Sequence, residues 1–214
     1  MRPLTDNLPK PLLQVGEETL MAHHLRKLKK AGIEEVYINT YYLGHMISDV
    51  IGDGSDYGLQ ITYIPQAQLL GSGGDTLNAL GHFFTQNEDP APFLFVSADI
   101  FSDFDYKVLE TDLPEGAMGC LVMVERSERF PDGCQYAFGA DGRLQSEGEM
   151  WNWASIAVLD PALFVGRQVA PFALLELFNQ AVRDKKMLGL KDKGLWYNLG
   201  TPEDLAELRS QLVS

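Results

Sequence analysis

The sequence predicts a three-layer α/β protein, Rossmann-like, with a mostly parallel sheet and antiparallel additions. The first half of its 214 residues alternates short apolar runs with apolar residues at helical spacing. One of those runs, Phe93-Leu94-Phe95-Val96, is apolar at every position, as in strands covered on both faces. The second half exchanges this rhythm for successive strands separated by turns, notably Gly139-Ala140-Asp141-Gly142.

Taken in order, Leu20, Met21, Leu25 and Leu28 share one face at helical spacing, and Gly32 supplies the stop. Glu35 to Asn39 reads as a short buried strand that ends on a polar residue. A second helix is expected from Leu43 to Ile51, closed by Gly52-Asp53-Gly54. Leu59 to Ile64 alternates like a strand, and Leu77, Leu80, Phe83 and Phe84 mark a third helix. The apolar strand runs from Phe93 to Ser97. Further strands are expected at Cys120 to Val124, Gln135 to Gly139 and Trp153 to Leu159. A helix from Pro171 to Arg183, a strand at Trp196 to Leu199, and a closing helix from Pro202 with Thr201 as N-cap complete the chain. Neither repeat nor linker interrupts the pattern, so residues 1–214 are expected to form one domain.

Lys and Arg number 17 against 30 Asp and Glu, a formal net charge of −13. Such a surface repels nucleic acid and anionic membranes, so neither is expected as a partner. A small anion is still admissible, because local cations, helix N-termini or a bound metal overrule the global field at short range. The two cysteines, Cys120 and Cys134, are too few for a disulfide framework and form no C-x-x-C pair for zinc. No apolar run approaches the roughly 20 residues of a membrane span, and the N-terminus lacks an apolar signal region. A cytoplasmic protein is the resulting expectation.

Ligands of open parallel sheets gather beyond the carboxyl ends of strands, and four stretches fall there. Ser97-Ala98-Asp99-Ile100 puts a carboxylate straight after the buried strand, where it can hold Mg²⁺ against phosphate or simply cap a turn. Leu70-Gly71-Ser72-Gly73-Gly74-Asp75 lies between a strand and a helix; its glycines permit close approach of a ligand or merely a tight turn. It matches neither the Walker nor the dinucleotide-binding pattern. Pro9-Lys10-Pro11-Leu12 fixes the backbone around a lysine that either faces phosphate or sits on an extended surface linker. Finally, Trp196 to Asp204 reads as strand, glycine turn and helix, with Asn198 at the strand end.

Together these stretches resemble the sugar-1-phosphate nucleotidyltransferase family. Arg2-Pro3-Leu4-Thr5 through Pro9-Lys10-Pro11-Leu12-Leu13 is similar to the second half of its N-terminal signature, G-x-G-x-R-[ML]-x-P-L-T-x-x-x-P-K-P-L. The resemblance continues through Val36-Tyr37-Ile38-Asn39, Gly52-Asp53-Gly54-Ser55 with Gly58-Leu59, Leu70 to Gly74, Ser97-Ala98-Asp99, Ile156 to Leu159 with Pro161, and Gly200-Thr201-Pro202. The length, without a C-terminal β-helix, is most similar to the members that uridylylate N-acetylmuramate 1-phosphate, which would place the chain in cell-wall recycling.

The resemblance implies the nucleotide-diphospho-sugar transferase fold. It also implies attack of a sugar 1-phosphate on the α-phosphorus of a nucleoside triphosphate, UTP first, giving an NDP-sugar and pyrophosphate with Mg²⁺ as cofactor. It implies that Lys10 contacts phosphate, Asp99 holds Mg²⁺, Ser72, Gly73 and Gly74 line the nucleobase, and Asn39 shapes the cleft. Three departures stand out. The family's first strand and G-x-G-x-R loop are expected ahead of Met1, so a chain without them is expected to be impaired. Asn198 stands where many members carry a second metal-binding aspartate. The segment from Glu125 to Tyr136 departs from the muramate-type pattern, with Cys134 where an acidic residue is common. Two alternatives therefore accompany the enzyme reading: a non-catalytic nucleotide-sugar binder, and a transferase with another sugar or a phosphocholine-like acceptor.

Overall fold

The computed structural model describes residues 1–84, 91–126 and 133–212, so part of the divergent Glu125–Tyr136 segment lies outside the described residues. In chain order the elements are β1 (Gln14–Val15), β2 (Glu18–Thr19), α1 (Leu20–Lys30), β3 (Glu35–Thr40), α2 (Gly44–Ile51), β4 (Gln60–Pro65), α3 (Gly71–Phe84) and β5 (Phe93–Val96). There follow β6 (Ile100–Ser102), β7 (Gly119–Val124), β8 (Gln135–Phe138), β9 (Leu144–Gln145), β10 (Met150–Leu159), α4 (Leu174–Arg183), β11 (Met187–Asp192), β12 (Trp196–Asn198) and α5 (Pro202–Leu212). The expected α/β class is what the structure shows. Strands β3 and β4, and β7 and β11, pair in parallel, while β5, β7 and β8 all pair with β10 antiparallel. Antiparallel pairing thus takes a larger share than the sequence suggests. An all-apolar run such as Phe93–Val96 reports apolar surroundings, and it carries no information on strand direction.

The chain falls into two compact units, each assembled from separated stretches. The first comprises Met1–Gln68, Ala98–Val108 and Leu195–Ser214; the second comprises Leu69–Ser97 and Leu109–Gly194.

In the second unit the strand order is β11-β7-β10-β8-β9, with β5 also on β10. Helix α4 buries Leu174, Leu177, Phe178, Ala181 and Val182, one face at helical spacing, in the same core as Leu121 and Met123 of β7 and Leu80 of α3. Trp153 meets Phe178 edge to face at 5.0 Å and stacks on Phe95 at 5.7 Å. Strand β11 escapes the sequence reading because Gly189 and Lys191 interrupt its apolar pattern. Its glycine has a packing reason: a Cβ there would lie 2.5 Å from Leu144 Cδ2 and 2.7 Å from Phe138 Cε1.

The first unit centres on Leu13, Val15, Leu20, Phe101, Leu199, Leu205 and Leu208. Thr19 caps α1 by accepting the Ala22 N–H at 3.2 Å. The predicted cap of α5 is present as a reciprocal box, with Thr201 Oγ1 accepting the Asp204 N–H and Asp204 Oδ2 accepting the Thr201 N–H at 2.7 Å.

Helix α1 also presents three polar side chains to β6. His24 Nε2 donates to the Ile100 carbonyl at 2.7 Å, and its Nδ1 accepts from the Tyr106 hydroxyl at 2.8 Å. His23 Nε2 and Lys27 Nζ both donate to the Ser102 carbonyl. A carbonyl only accepts, so Nε2 of His24 carries a proton, and a pKa lowered by burial leaves the ring neutral near pH 7. The opposite edge of β6 pairs with β12, with Asn198 opposite Ile100.

Burial pushes the pKa of His24 from 6.5 down to about 4, helped by the neighbouring charges of His23 and Lys27 and opposed by the Ile100 carbonyl and Asp99. The unfolded chain therefore takes up a proton near pH 6.5 that the folded chain refuses until about pH 4. Stability from this group is complete above pH 6.5 and lost as pH falls through that window, on the order of 3 kcal/mol in total. Urea melts of the wild-type protein and a His24→Gln variant at pH 7 and pH 4.5 test this. The variant should be weaker at pH 7 and lose less stability on acidification; equal losses in both would remove His24 as the cause.

Candidate active site

Lys10 lies in a 3-10 turn, Lys10–Leu12, between Pro9 as N-cap and Pro11, whose fixed φ angles restrict the backbone on either side of it. Its ammonium reaches Asp99 Oδ2 at 3.1 Å, with the two side chains 27% and 43% exposed. The lysine is therefore largely enclosed, and the surface-linker alternative does not describe it.

Asp99 follows β5 by three residues and directly precedes β6. The Leu199 N–H donates to the Asp99 carbonyl at 3.1 Å and extends the β6–β12 ribbon by one rung. Asn198, half-buried, pairs with Ile100 in that ribbon and so stands one residue from Asp99 across it. Residues from the three separate stretches of the first unit thus meet here. Asn39, at the end of β3, belongs to the same unit, and its Oδ1 accepts from Gln66 Nε2 at 3.4 Å.

Ser72, Gly73 and Gly74 belong to the second unit. They form the first turn of α3 rather than a loop ahead of it. The Gly73 and Gly74 N–H groups, free on the sequence reading, both donate to the Phe172 carbonyl, at 3.0 and 3.3 Å. Ser72 Oγ accepts the Leu174 N–H at 3.0 Å, capping α4 from outside that helix. A Cβ at Gly74 would lie 2.3 Å from the Ala170 carbonyl oxygen. The glycines are required by that close approach whatever else they do.

No group of three or more His, Cys, Asp and Glu suited to a metal occurs among the described residues. Asp99 supplies one carboxylate, with Asn198 one residue away across the ribbon. One carboxylate completed by neutral oxygens and substrate phosphates is the usual setting of Mg²⁺, so these residues fit that ion. Burial pushes both cysteine thiols up to about 11, so neither supplies a thiolate near neutral pH. The arrangement suits charge neutralisation rather than covalent catalysis. Sequence reasoning missed His24 and Phe172. A histidine on the apolar face of α1 was the available signal for the first, since buried polar groups are bonded; nothing pointed to the second.

The sequence pattern of the family described as Nucleotidyl transferase matches residues 1–130. The chain is 34% identical over 218 residues to an N-acetylmuramate alpha-1-phosphate uridylyltransferase of Neisseria meningitidis serogroup B, covering 98% of this chain and 92% of that protein. It is 28% identical to a mannose-1-phosphate guanylyltransferase of Mycobacterium tuberculosis, spanning 100% of this chain and 61% of that one. Among solved structures, a UDP-glucose pyrophosphorylase complexed with UDP-glucose superposes with a TM-score of 0.75 at 15% identity, over 100% of this chain and 93% of that chain. At that identity the likeness shows the fold alone. No helix among the described residues is long and apolar enough to cross a membrane.

Replacing Gly74 by Ala should destabilise the protein by about 1–3 kcal/mol through overpacking against Ala170. A Cβ at Gly81 of the same helix meets no described atom within 4 Å, so Gly81→Ala should instead stabilise by roughly 0.5–1 kcal/mol. Urea midpoints moving in the same direction for both would contradict the packing role of Gly74.

Proposed function

Because this chain belongs to the nucleotidyl transferase family, and is an enzyme by that membership, we propose that it transfers a nucleotidyl group to a sugar 1-phosphate. The donor of the proposal is UTP and the acceptor is N-acetylmuramate 1-phosphate, supported by the near full-length similarity to the Neisseria protein. The observation that carries the reading is the Lys10–Asp99 contact at 3.1 Å with Asn198 beside it across the ribbon.

In this reading a phosphate oxygen of the acceptor attacks the α-phosphorus of the triphosphate. A new P–O bond forms at the α-phosphorus as its bond to the bridging oxygen breaks, and pyrophosphate carries away the charge. Such a displacement needs positioning and neutralisation of charge more than a nucleophile from the protein. Lys10 supplies a compact positive charge to the phosphates. Asp99, with Asn198 Oδ1, would hold Mg²⁺, which supplies further neutralisation at the phosphate oxygens when bound. Gly73 and Gly74 are buried behind Phe172 and Ala170, which leaves Ser72 as the exposed candidate of the glycine run for the nucleobase, and Asn39 is a candidate for the nucleotide on the first unit. A cytoplasmic setting and a part in cell-wall recycling belong to the same proposal.

Pyrophosphate release, measured with Mg²⁺ over a panel of nucleoside triphosphates and sugar 1-phosphates, tests it. Turnover should be fastest with UTP and N-acetylmuramate 1-phosphate, and Asp99→Asn should lower kcat/KM by about 10²–10³-fold. Preference for GTP with mannose 1-phosphate would overturn the choice of substrates. Silence with every pair, from folded protein, would overturn the proposal itself. Restoring a second carboxylate with Asn198→Asp should tighten Mg²⁺ binding, read as a lower Mg²⁺ concentration for half-maximal rate.

A further inference from the structure

Among the described residues, strand β6 has a strand partner on one edge only, where it meets β12. The Asp99 carbonyl faces that edge and accepts the Leu199 N–H at 3.1 Å. Successive carbonyls of a strand alternate in direction, so that of Ile100 faces the other way. Helix α1 meets it there with a side chain in place of a strand, His24 Nε2 donating at 2.7 Å. The peptide planes on either side of Ile100 are thus held from opposite directions, one by Leu199 and one by His24. The first of those planes begins at the Asp99 Cα and helps set the direction in which its side chain leaves the backbone.

His24 can make this bond because its own proton is placed for it. Tyr106, 2% exposed, donates from its hydroxyl to His24 Nδ1 at 2.8 Å. Nδ1 is then the acceptor of the neutral ring, and the single ring proton stays on Nε2, facing the Ile100 carbonyl. Burial raises the Tyr106 pKa, so the hydroxyl keeps the proton it donates. The Lys27 ammonium lies over the Tyr106 ring at 4.6 Å and restrains it in turn.

We propose that the Tyr106–His24 pair is a positioning device for Asp99, holding β6 so that the Asp99 carboxylate meets a divalent cation with its direction already set. Neither residue touches the cation or the nucleotide in this role. The inference rests on the reading above that Asp99 seats the metal. It predicts that loss of the His24 donor weakens the cation site beyond what lost stability explains.

Mn²⁺ affinity, measured by calorimetry at pH 7 with urea melts to establish folding, separates the two roles. His24→Met keeps bulk but offers no N–H, and should weaken Mn²⁺ binding by about tenfold. His24→Gln places an amide N–H near the position of Nε2 and should recover at least about threefold of that loss. Tyr106→Phe, which removes only a hydroxyl, should weaken binding by about threefold and carries the test alone if His24→Met does not fold. Ile47→Val, a core truncation in α2 of the same unit, is the control for stability. Its Mn²⁺ affinity should stay within about twofold of wild type. Wild-type affinity in folded His24→Met, or failing that in Tyr106→Phe, overturns the positioning role; the metal reading stands if Asp99→Asn still weakens binding. An equal loss in Ile47→Val overturns the role too, because stability alone would then account for the effect. Mn²⁺ binding indifferent to Asp99→Asn overturns the metal reading and this inference with it.

Discussion

Strand β6 spans only Ile100–Ser102, and the chemistry proposed for Asp99 depends on how that strand is held. A strand so short makes too few ladder bonds to fix itself. It is clamped instead from two sides: its Ile100 and Ser102 carbonyls accept from His24, His23 and Lys27, and its other edge pairs with β12. The neutral, buried His24 is the acid-sensitive member of this clamp, since between pH 6.5 and about 4 it forgoes a proton that the unfolded chain would take up. What the clamp achieves is orientation. Asp99 leaves the ribbon with its carbonyl bonded to Leu199 and its carboxylate beside Lys10, so both the anion and its cation are fixed before any ligand arrives.

The glycine run obeys a different constraint in the second unit. There the approach of residues 170–172 forbids side chains, and small residues follow from packing before any question of ligand. Packing by itself accounts for the glycines in this turn, a cause that sequence composition alone cannot separate from ligand binding. The Ser72 hydroxyl, singled out for its place in a glycine-rich run, caps a helix to which it does not belong.

Much of the fold was legible because its signals are local. Helices α1 and α2 end at glycines the sequence marks as stops, and Thr201 caps α5 ahead of Pro202 as the sequence implies. The misses share a cause: they are set by partners distant in sequence. Strand β11 is ordered by six consecutive parallel pairings with β7 despite its glycine and lysine. The glycines of α3 are poor helix formers taken into the helix by tertiary bonds to Phe172. In the site, Lys10 and Asp99 could each be named from position and motif, but their contact joins residues 89 apart and becomes visible only in the folded chain.

Asp99, as the β6–β12 ribbon presents it, is proposed to seat a divalent cation for nucleotidyl transfer. Electron paramagnetic resonance of Mn²⁺ titrated into the protein tests this without relying on turnover. The wild-type protein should show a saturable site that Asp99→Asn weakens by at least about tenfold while the fold persists. Mn²⁺ binding of equal strength in a folded Asp99→Asn variant would contradict it and move the cation elsewhere in the molecule.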